Sequence, residues 1–438
     1  MSDLISVDDH LSDVLRAIRP LDPVDAQLAD ALGRVLAEDV TAPAALPPFD
    51  NSSMDGYAVR TADVADAAAE RPVVLTVVGE AAAGGGGAPE VGPGQAVRIM
   101  TGAPVPPGAQ AVVPVEWTDG GVGGGPAEAM SPAPGRRDGD GWGEVRVYRP
   151  AGAGQHVRRR GSDIRPGTLA VPAGTVLGPP QVGLLAAVGR ATVTVRPRPR
   201  VVVLSTGSEL APPGADLAAG QIHDSNGPML AAAAEQAGAA AHRAVSVADD
   251  PATLRAALAD QLGGADLVIT SGGVSVGAYD VVKEALGGSG GVTFRRLAMQ
   301  PGKPQGFGLL DGVPLFALPG NPVSAYVSFE LFVRPALRAM AGHPPETLHR
   351  PRVEARLDLT AAAEGGPGTL TSPRGRRQFL RGVYAPPAPG EAVGTVRPVG
   401  GASSHLIAAL AQADALLDIP EATTEVRPGT HLTVVLLG

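Results

Sequence analysis

Apolar residues recur three and four positions apart in two stretches near the start of the chain, DDHLSDVLRAI and VDAQLADALGRVLAEDV. This spacing is that of one face of an α-helix, and Asp and Ser near the start of a run are typical of helix N-termini. The pattern predicts two amphipathic helices between residues 8 and 40. Pro43, Pro47 and Pro48 then end helical structure.

From residue 71 to 150 the pattern is different, with short β-rich runs alternating with Gly and Pro: VVLTVVG, QAVRIM, AVVPVE and EVRVYRP. Such runs predict a small all-β domain. Residues 118–143 are biased and aperiodic, so we expect a loop between two strands there. The charged run HVRRRGSDIRPG at 156–167 indicates that the chain returns to the first helical region after a β insertion.

After residue 197 strands alternate with helices. The continuous apolar run RPRPRVVVLSTGSEL predicts a buried parallel strand, and a capped helix, a strand, a second helix and the strand ADLVIT follow. FGLLDGVPLFAL predicts a hairpin on an Asp-Gly turn, and PGNPVSAYVSFELFVRPALRAM a loop and long helix. The alternation predicts βαβ units. Beyond the Pro-rich break at 344–351, strand-like runs predict a second small β domain.

Composition narrows the classes of function. The 438-residue chain is 44% hydrophobic, enough to bury several cores, while its net charge of −9 argues against a general nucleic-acid binder. It contains no cysteine, which excludes disulfides, thiolate metal sites and cysteine nucleophiles and suits a reducing cytoplasm. Neither a signal peptide nor a membrane-spanning run of about 18 apolar residues is recognisable. We expect a cytoplasmic protein with no membrane or nucleic-acid partner.

Three loops follow strands of the α/β region: STGSEL at 205–210, TSGGVSVGAYD at 270–280 and LPGNPVSAY at 318–326. In an open α/β sheet the loops after parallel strands share one rim, and ligands bind there. Each loop supplies hydroxyls and glycines that let backbone amides approach a phosphate or another oxyanion. We expect the three loops to converge on one ligand.

A second interpretation of the middle loop is a serine hydrolase, because it contains the motif Gly-Val-Ser275-Val-Gly. An acid and a histidine would have to follow in the chain, and candidates exist: Asp311 or Glu330, then His343, His349 or His405. A nucleophile elbow should follow its strand directly, whereas Ser271, Gly272 and Gly273 intervene here.

Acidic residues crowd the same loops, namely Glu209, Asp224, Asp249, Asp250 and Asp280. Several acids around a phosphate pocket imply a hard cation such as Mg²⁺, and Arg296 and Lys303 would supply further positive charge. Asp249 and Asp250 precede Pro251, so they also fit a helix cap. Lys303 is one of two lysines, with Lys283, in a chain whose basic residues are otherwise arginine.

Taken together and in this order, the motifs PPFDNSSMDGYAVR, RIMTGAPVPPGA, STGSEL, DDP, TSGGVSVGAYD, QPGKP and LPGNPVSA closely resemble the molybdopterin molybdenumtransferases, often called MoeA, to which the C-terminal domain of gephyrin is related. The resemblance implies a multidomain α/β fold with β domains in a homodimer. We assign a helical or extended domain I to 1–45 and 150–180, an inserted β domain II to 46–149, a doubly wound molybdopterin-binding α/β domain III to 181–342, and a β-barrel domain IV to 350–438.

The resemblance also implies a reaction, in which molybdate is inserted into the dithiolene of adenylylated molybdopterin and AMP leaves with the help of Mg²⁺. It implies an active cleft between the α/β domain of one subunit and the N-terminal and inserted domains of the other. The molybdopterin adenylyltransferase is a further expected partner. An alternative of a different class is a scaffold of the gephyrin type, which anchors other proteins.

By motif, the resemblance assigns catalytic roles to Asp55, Glu209, Asp249, Asp280 and Lys303, with Asp249 and Asp280 also as metal ligands. The residues that it assigns to substrate binding are Thr101, Ser271, Gly272, Gly273, Ser275, Arg296, Pro319, Gly320, Asn321, Pro322 and Ser324.

Two positions depart from the family pattern. Gln300 precedes PGK where similar bacterial enzymes often carry lysine, so one expected positive charge is missing. Ser162 replaces an acid found in some relatives, which leaves Asp163 as the acidic group of that segment.

Overall fold

A computed structural model describes residues 4–129, 142–244, 250–273, 281–287, 291–359 and 368–438. The chain divides into two compact units. The first contains Met1–Glu38, Ala173–Gly178 and Thr192–Gly438, and the second contains Asp39–Pro172 and Pro179–Ala191. No helix within the described ranges is both long enough and apolar enough to cross a membrane.

The first 195 residues are rich in short strands. The helices of this part are α1 (Val7–Ala17) and α2 (Pro179–Ala187). Its strands are β1 (Val24–Gln27), β2 (Val40–Thr41), β3 (Asn51–Ser52), β4 (Gly56–Val59), β5 (Val73–Ala81), β6 (Gln95–Ile99), β7 (Ala111–Pro114), β8 (Glu144–Val147), β9 (Val157–Arg158), β10 (Leu169–Val171) and β11 (Thr192–Val195).

From residue 200 onward helices and strands alternate before a final all-β region. The helices are α3 (Asn226–Gln236), α4 (Pro251–Leu262), α5 (Val281–Gly287), α6 (Pro322–Ser328), α7 (Arg334–Met340) and α8 (Ile407–Ala411), with a π-helical turn at Phe329–Val333 between α6 and α7. The strands are β12 (Arg200–Ser205), β13 (Leu210–Ala211), β14 (Ile222–His223), β15 (Ala240–Arg243), β16 (Leu267–Ser271), β17 (Val292–Arg296), β18 (Met299–Gln300), β19 (Pro304–Leu310), β20 (Val313–Leu318), β21 (Arg352–Leu357), β22 (Leu370–Thr371), β23 (Arg377–Ala385), β24 (Gly394–Pro398), β25 (Ala415–Ile419), β26 (Glu425–Val426) and β27 (His431–Leu436).

The first of the two predicted N-terminal helices is confirmed and the second is wrong. Helix α1 begins after Ser6, whose hydroxyl accepts a hydrogen bond from the Asp9 amide at 3.0 Å, as an N-cap does. Residues 24–40 instead form strand β1, one 3-10 turn and isolated β-bridges. Strand β1 pairs antiparallel with β11, and Gly33 breaks the helical pattern with a φ of 76°. Pairing with a distant strand and isolated bridges bury Ala26, Val35 and Leu36 in place of a helix face, whereas Val24 and Leu32 are exposed.

The α/β part of the first unit is a six-stranded sheet in the order β15-β12-β16-β20-β19-β17, in which the first four strands are parallel. Alternate residues of β12 enter different cores: Val201 and Val203 pack on the side of α3, and Val202 and Leu204 on the side of α4. Burial on both faces explains the continuous apolar run and confirms the doubly wound arrangement. The predicted Asp-Gly hairpin is also confirmed, because Asp311 and Gly312 connect β19 to β20 with positive φ angles of 49° and 84°.

The C-terminal strands close into a barrel. Strands β23, β24, β21, β27 and β25 pair in that order, and β25 pairs again with β23, so the sheet has no free edge. Strand β18 extends it through parallel pairing with β23. Inward residues such as Leu357, Val396, Leu417 and Val434 form its core, which confirms the predicted terminal β-barrel.

The second unit has a five-stranded sheet at its centre, in the order β7-β4-β6-β5-β8. This sheet is the small β domain that the sequence predicted. The short pairs β2 with β10 and β3 with β9 tie residues 40–52 to residues 157–171 in the same unit. Part of the predicted Gly-rich loop, residues 130–141, lies outside the described residues. The division into four domains remains a prediction.

Candidate functional site

Three parallel strands of the first unit end side by side. In the register of the sheet, Ser205 at the end of β12 is opposite Ser271 at the end of β16, and Ser271 is opposite Leu318 at the end of β20. The loops after these strands therefore leave the sheet at one rim, as the strand pattern predicted.

Hydrogen bonds join the three loops directly. The Thr206 amide donates to the Ser271 carbonyl oxygen at 2.9 Å, and the side-chain amide of Asn226 donates to Ser271 Oγ at 2.8 Å and to the Gly320 carbonyl oxygen at 2.7 Å. Sequence reasoning missed Asn226, whose signal was its place at the start of a helix after the first rim loop. The two hydrogen bonds of Asn226 link the end of β16 to the loop after β20.

The glycines of the middle loop are required by space as well as by backbone angle. Gly272 has a φ of 104°, and a Cβ there would lie 2.4 Å from the Thr206 carbonyl oxygen. Gly273 has a φ of 61°, and its Cβ would lie 2.8 Å from Val282 Cγ2. Only glycine fits both positions without strain, so the backbone of this loop packs directly against the first rim loop and against α5.

The acids of the rim differ in what they do. Asp224 is buried and accepts hydrogen bonds from Ser205 Oγ at 3.0 Å and from the Gly227 amide at 2.9 Å, so it holds the first loop in place. Asp250 is the N-cap of α4, and hydrogen bonds from Thr253 lower its pKa, which confirms the helix-cap interpretation for this residue. Glu209 is exposed at the rim.

Three predicted site residues, Asp249, Ser275 and Asp280, lie outside the described residues. The remaining rim residues of the prediction, Ser271, Gly272, Gly273, Pro319, Gly320, Asn321, Pro322 and Ser324, all fall at the ends of β16 and β20 or in the first turn of α6.

A basic cavity of about 510 Å³, here called the Lys303 cavity, lies where α6 and the barrel come together. Its wall contains Lys303 from the loop before β19, the buried Ser324 from α6, and Arg376 and His405 from the barrel region. Burial lowers the pKa of Lys303, and the neighbouring charges of Arg296 and Arg376 lower it further. A cluster of cations and hydroxyls of this kind suits an oxyanion.

The wall of the Lys303 cavity is held by specific contacts. Arg381, buried in the barrel, donates from Nη1 to the Ser403 carbonyl oxygen at 3.1 Å and from Nη2 to the Gly401 carbonyl oxygen. Behind the lining residue Gly302, the buried Gln305 donates from Nε2 to the Gly302 carbonyl oxygen at 2.6 Å. Gln300 accepts a bond of 3.4 Å from Arg376.

Sequence reasoning missed the barrel side of this cavity. Arg376 and the loop containing Ser403 and Ser404 carry no motif, and His405 was considered only as a hydrolase residue. Arg296 lies with Lys303 in the wall of an adjoining cavity of about 230 Å³, together with Lys283. The two cavities share Lys303 and Pro304, so the positive charge continues from one to the other.

In the second unit the structure brings two predicted residues together. The Thr101 amide donates a hydrogen bond of 2.6 Å to Asp55 Oδ1. Both residues are exposed. The two motifs that carry them, SMDGYAVR and RIMTGAP, are thus one local structure.

A magnesium site is not assembled by the described residues alone. Across the described ranges no three His, Asp or Glu side chains are placed to hold a metal ion. Glu209 offers one carboxylate at the rim, and the predicted ligands Asp249 and Asp280 lie outside those ranges. Binding of Mg²⁺ therefore stays a prediction.

Comparisons with known proteins agree with this architecture. Three sequence families match in order: the MoeA N-terminal region (domain I and II) at residues 5–189, a probable molybdopterin binding domain at 202–339, and the MoeA C-terminal region (domain IV) at 367–437. Molybdopterin molybdenumtransferase 2 of Mycobacterium tuberculosis is 47% identical over 436 residues, covering 98% of both chains. The Bacillus subtilis molybdopterin molybdenumtransferase is 34% identical and covers 94% of this chain and 89% of its own.

Solved structures extend the likeness to the whole fold. A molybdopterin biosynthesis MoeA protein from Pyrococcus horikoshii has a TM-score of 0.77 at 32% identity, and a second structure has 0.74 at 28%. They cover 100% and 99% of this chain and all of their own. Fold and site together define a multidomain enzyme with a molybdopterin-binding α/β domain. The chain belongs to the MoeA family of molybdopterin molybdenumtransferases, enzymes of molybdenum cofactor biosynthesis.

Proposed function

We propose that this chain inserts molybdenum from molybdate into adenylylated molybdopterin and releases AMP in a Mg²⁺-dependent step. The observation that carries the proposal is the joining of three rim loops by Ser271 and Asn226 beside the basic Lys303 cavity. The rim supplies backbone amides and hydroxyls, and the cavity supplies cations. These are the groups that a phosphorylated pterin and a small oxyanion require.

In this proposal the pterin substrate lies along the rim. Gly273 is half-buried and offers its backbone to the substrate, and the exposed Asn321 is a polar group of the third rim loop, while the buried Ser271 and Gly272 hold the middle loop in place. Ser275 and Pro319 to Pro322 complete the binding loops that the family motif assigns. The rim thus orients the substrate, and positioning supplies a large part of the rate of anhydride cleavage.

Molybdate is assigned to the Lys303 cavity. A doubly charged oxyanion would find Lys303 and Arg376 as cations and Ser324 as a hydroxyl donor within one wall. The volume of about 510 Å³ leaves room for the dithiolene end of the pterin beside the oxyanion. Gln300, which replaces the lysine of similar enzymes, contributes an amide that contacts Arg376 instead of a charge.

In this proposal the acidic and basic residues of the site, with Mg²⁺, balance the negative charge of the phosphoanhydride during its cleavage. In the phosphoanhydride the oxygen of a water molecule attacks phosphorus and gives its proton to solvent, and the departing phosphate takes the electron pair of the broken P–O bond. As molybdenum binds the two dithiolene sulfurs, one molybdate oxygen leaves as water with their two protons. Mg²⁺ held by Asp249 and Asp280 would neutralise charge on the phosphates when bound. Arg296 and Lys303 stabilise the negative charge that develops on the leaving oxygen. Glu209 and Asp55 are the remaining acids assigned to catalysis.

The test mixes purified protein with adenylylated molybdopterin, molybdate and Mg²⁺, and measures AMP and active cofactor. We expect both products, and we expect Lys303→Gln to reduce the rate by at least about 100-fold, the size of a lost electrostatic contact in a transition state. Arg356→Gln, which removes a positive charge from an exposed barrel residue that is not among the lining residues of either cavity, is the matched control. Intact substrate after incubation with the wild-type protein would contradict the proposal.

The proposal includes a homodimer in the cytoplasm, in which Asp55 and Thr101 of one subunit serve the rim of the other, with the molybdopterin adenylyltransferase as the donor of substrate. Mixing Asp55→Ala and Lys303→Gln chains tests this, because half of the randomly formed dimers then carry one intact site. Activity should recover to about a quarter of the wild-type value. No recovery after dimer exchange would exclude the shared site while leaving the reaction itself in place.

The hydrolase alternative receives no support. Strand β16 ends at Ser271, and Gly272 and Gly273 follow it, so Ser275 does not come directly after the strand as an elbow requires. A fluorophosphonate probe should leave Ser275 unlabelled. If the protein were instead a scaffold of the gephyrin type, its binding to partner proteins would persist after substitution of the rim residues.

A further inference from the structure

A second large cavity lies in the first unit, lined by none of the residues assigned to the reaction. It has a volume of about 780 Å³ and is formed by α1, α7 and the segment from Glu346 to Arg352 that leads into the barrel. We call it the Arg334 cavity. Its lining contains four arginines, Arg334, Arg338, Arg350 and Arg352.

Arg334 is the residue that distinguishes this cavity from an ordinary charged surface. It is only 8% exposed, and its Nε and Nη1 atoms are buried without a hydrogen bond. The nearest carboxylate oxygen, Oε2 of Glu330, lies 3.9 Å from Nε. Burial lowers the pKa of Arg334 to about 10, so it remains a cation at neutral pH. A buried charge this poorly satisfied is unusual in a native protein.

The acid beside Arg334 is already engaged. Glu330 accepts hydrogen bonds from Arg350, at 2.9 Å from Nε and at 3.0 Å from Nη2. At the other end of the cavity Asp8 accepts from Arg377 at 2.9 Å. The exposed Glu346 is the other acid in the lining. Three acids therefore lie against the four arginines, Glu330 beside the cavity and Asp8 and Glu346 in its wall, and the arginines keep an excess of one positive charge.

Of the other arginines in the wall, Arg338 is held by hydrogen bonds and Arg352 lies exposed at the mouth of the cavity. Arg338 donates from Nε to the Thr347 carbonyl oxygen at 2.6 Å, and its Nη2 contacts His343 Nδ1 at 3.2 Å. Arg352, at the mouth, keeps 44% of its side chain exposed. Preordered guanidinium groups around a cavity are well suited to the oxygens of a phosphoryl group, because each can donate two parallel hydrogen bonds.

We propose that the Arg334 cavity binds the phosphoryl group of a small molecule, at a site separate from the rim and from the Lys303 cavity. The volume exceeds what phosphate alone would fill and lies in the range of small-molecule sites. Leu11 and Pro351 give it apolar wall for the rest of the ligand. Because α1, α7 and the start of β21 all border the cavity, a bound ligand would bridge the α/β sheet region and the barrel.

The experiment removes the proposed molybdate site first, with the double variant Lys303→Gln/Arg376→Gln, and then titrates inorganic phosphate and glycerol 3-phosphate by calorimetry. Binding should survive in the double variant. Adding Arg334→Gln should weaken it at least about 10-fold, the effect of losing a charge-assisted contact. Adding Arg352→Gln, a change at an exposed side chain that leaves the fold intact, should weaken binding about three-fold or more.

Arg356→Gln is the matched control, since Arg356 lies on the same strand as Arg352 outside the cavity and pairs with the exposed Glu391 at 3.7 Å. Tighter binding of glycerol 3-phosphate than of phosphate supports a phosphorylated metabolite, and equal binding supports free phosphate. Absence of binding in the double variant, or unchanged binding with both Arg334→Gln and Arg352→Gln, would overturn the proposal, as would binding of an acidic peptide alone.

Discussion

Ser271 is the residue on which the rim depends. Its carbonyl oxygen accepts from the Thr206 amide, and its hydroxyl accepts from Asn226, which also binds the Gly320 carbonyl oxygen. One buried residue thus connects the loops after three neighbouring strands. Small changes beside it should therefore affect both stability and substrate binding.

Gly272→Ala tests the close approach of backbone at this point. Alanine would be strained by the positive φ and would place Cβ 2.4 Å from the Thr206 carbonyl oxygen. We expect a loss of about 2–4 kcal/mol in the free energy of unfolding, measured by urea denaturation. Gly312→Ala is the control, because Gly312 has a similar φ of 84° but nothing within 4 Å of its Cβ position, and it should lose only about 1 kcal/mol. Equal losses would show that space at the rim is not limiting.

Arg381 is predicted to position the wall of the Lys303 cavity without touching substrate. Arg381→Gln releases the Gly401 and Ser403 carbonyl oxygens, so the KM for molybdate should rise about 10-fold with a smaller change in kcat. Arg381→Lys, which keeps one charged donor, should recover part of the loss. A fall in kcat at unchanged KM would show that the arginine does not act through the oxyanion site.

The elements of the barrel are joined by an ion pair across two strands. Arg377 on β23 donates to Asp418 on β25 through Nε at 2.7 Å and Nη2 at 2.6 Å, and a third bond reaches Asp8 of α1. The hydrogen bonds to Asp418 raise the pKa of Arg377, although burial acts in the opposite direction. This pair connects strand closure in the barrel to a helix that is distant in sequence.

Asp418→Asn should destabilise the barrel strongly, because Asp418 is 4% exposed and its loss leaves the largely buried Arg377 guanidinium with only the exposed Asp8 as a carboxylate partner. We expect a decrease of about 3 kcal/mol in the free energy of unfolding. The exposed pair between Arg356 and Glu391 in the same barrel is the comparison, and Glu391→Gln should change stability by less than about 0.5 kcal/mol. Similar effects for the two variants in thermal or urea unfolding would refute the distinction.

At the scale of the whole molecule, three histidines of the first compact unit have lowered pKa values, the buried His10 and the half-buried His343 and His349. Burial, together with the charge of nearby arginines, lowers the pKa of His10 and of His343 to about 4. Burial, with the charge of Arg352, also lowers the pKa of His349. His10 is 1% exposed between the rings of Phe307 and Phe332. None of the three is assigned to the reaction, so their effect should appear in stability.

Stability should fall as the pH is lowered from about 6.5 to about 4. In this range the unfolded chain binds protons on these histidines while the folded chain does not, so unfolding is favoured at lower pH. A pKa moved from 6.5 to about 4 corresponds to roughly 3 kcal/mol for His10. Urea unfolding at several pH values should show the slope, and His10→Leu should make it shallower. An unchanged slope in this variant would exclude His10 as a source.

Local patterns predicted most of the elements and the common rim of the three loops. Helix α1, the parallel strands, the Asp-Gly hairpin and the barrel strands follow from periodicity and turn chemistry that act over a few residues. The same rules mistook residues 24–40 for a helix, because strand β11, which pairs with them, lies more than 160 residues further along the chain. The rim loops were recognisable because each directly follows its strand.

Other features arise only from contacts between distant segments. The place of Arg376 and the loop at Ser403 beside Lys303, the role of Asn226 between two loops, and the unsatisfied charge of Arg334 have no local pattern. The sequence by itself determines which residues alternate along a strand, cap a helix or form a turn, because these preferences act between near neighbours. Which side chains share a cavity depends on how the packed layers bring remote segments together, and that follows from burial and closure of the whole fold.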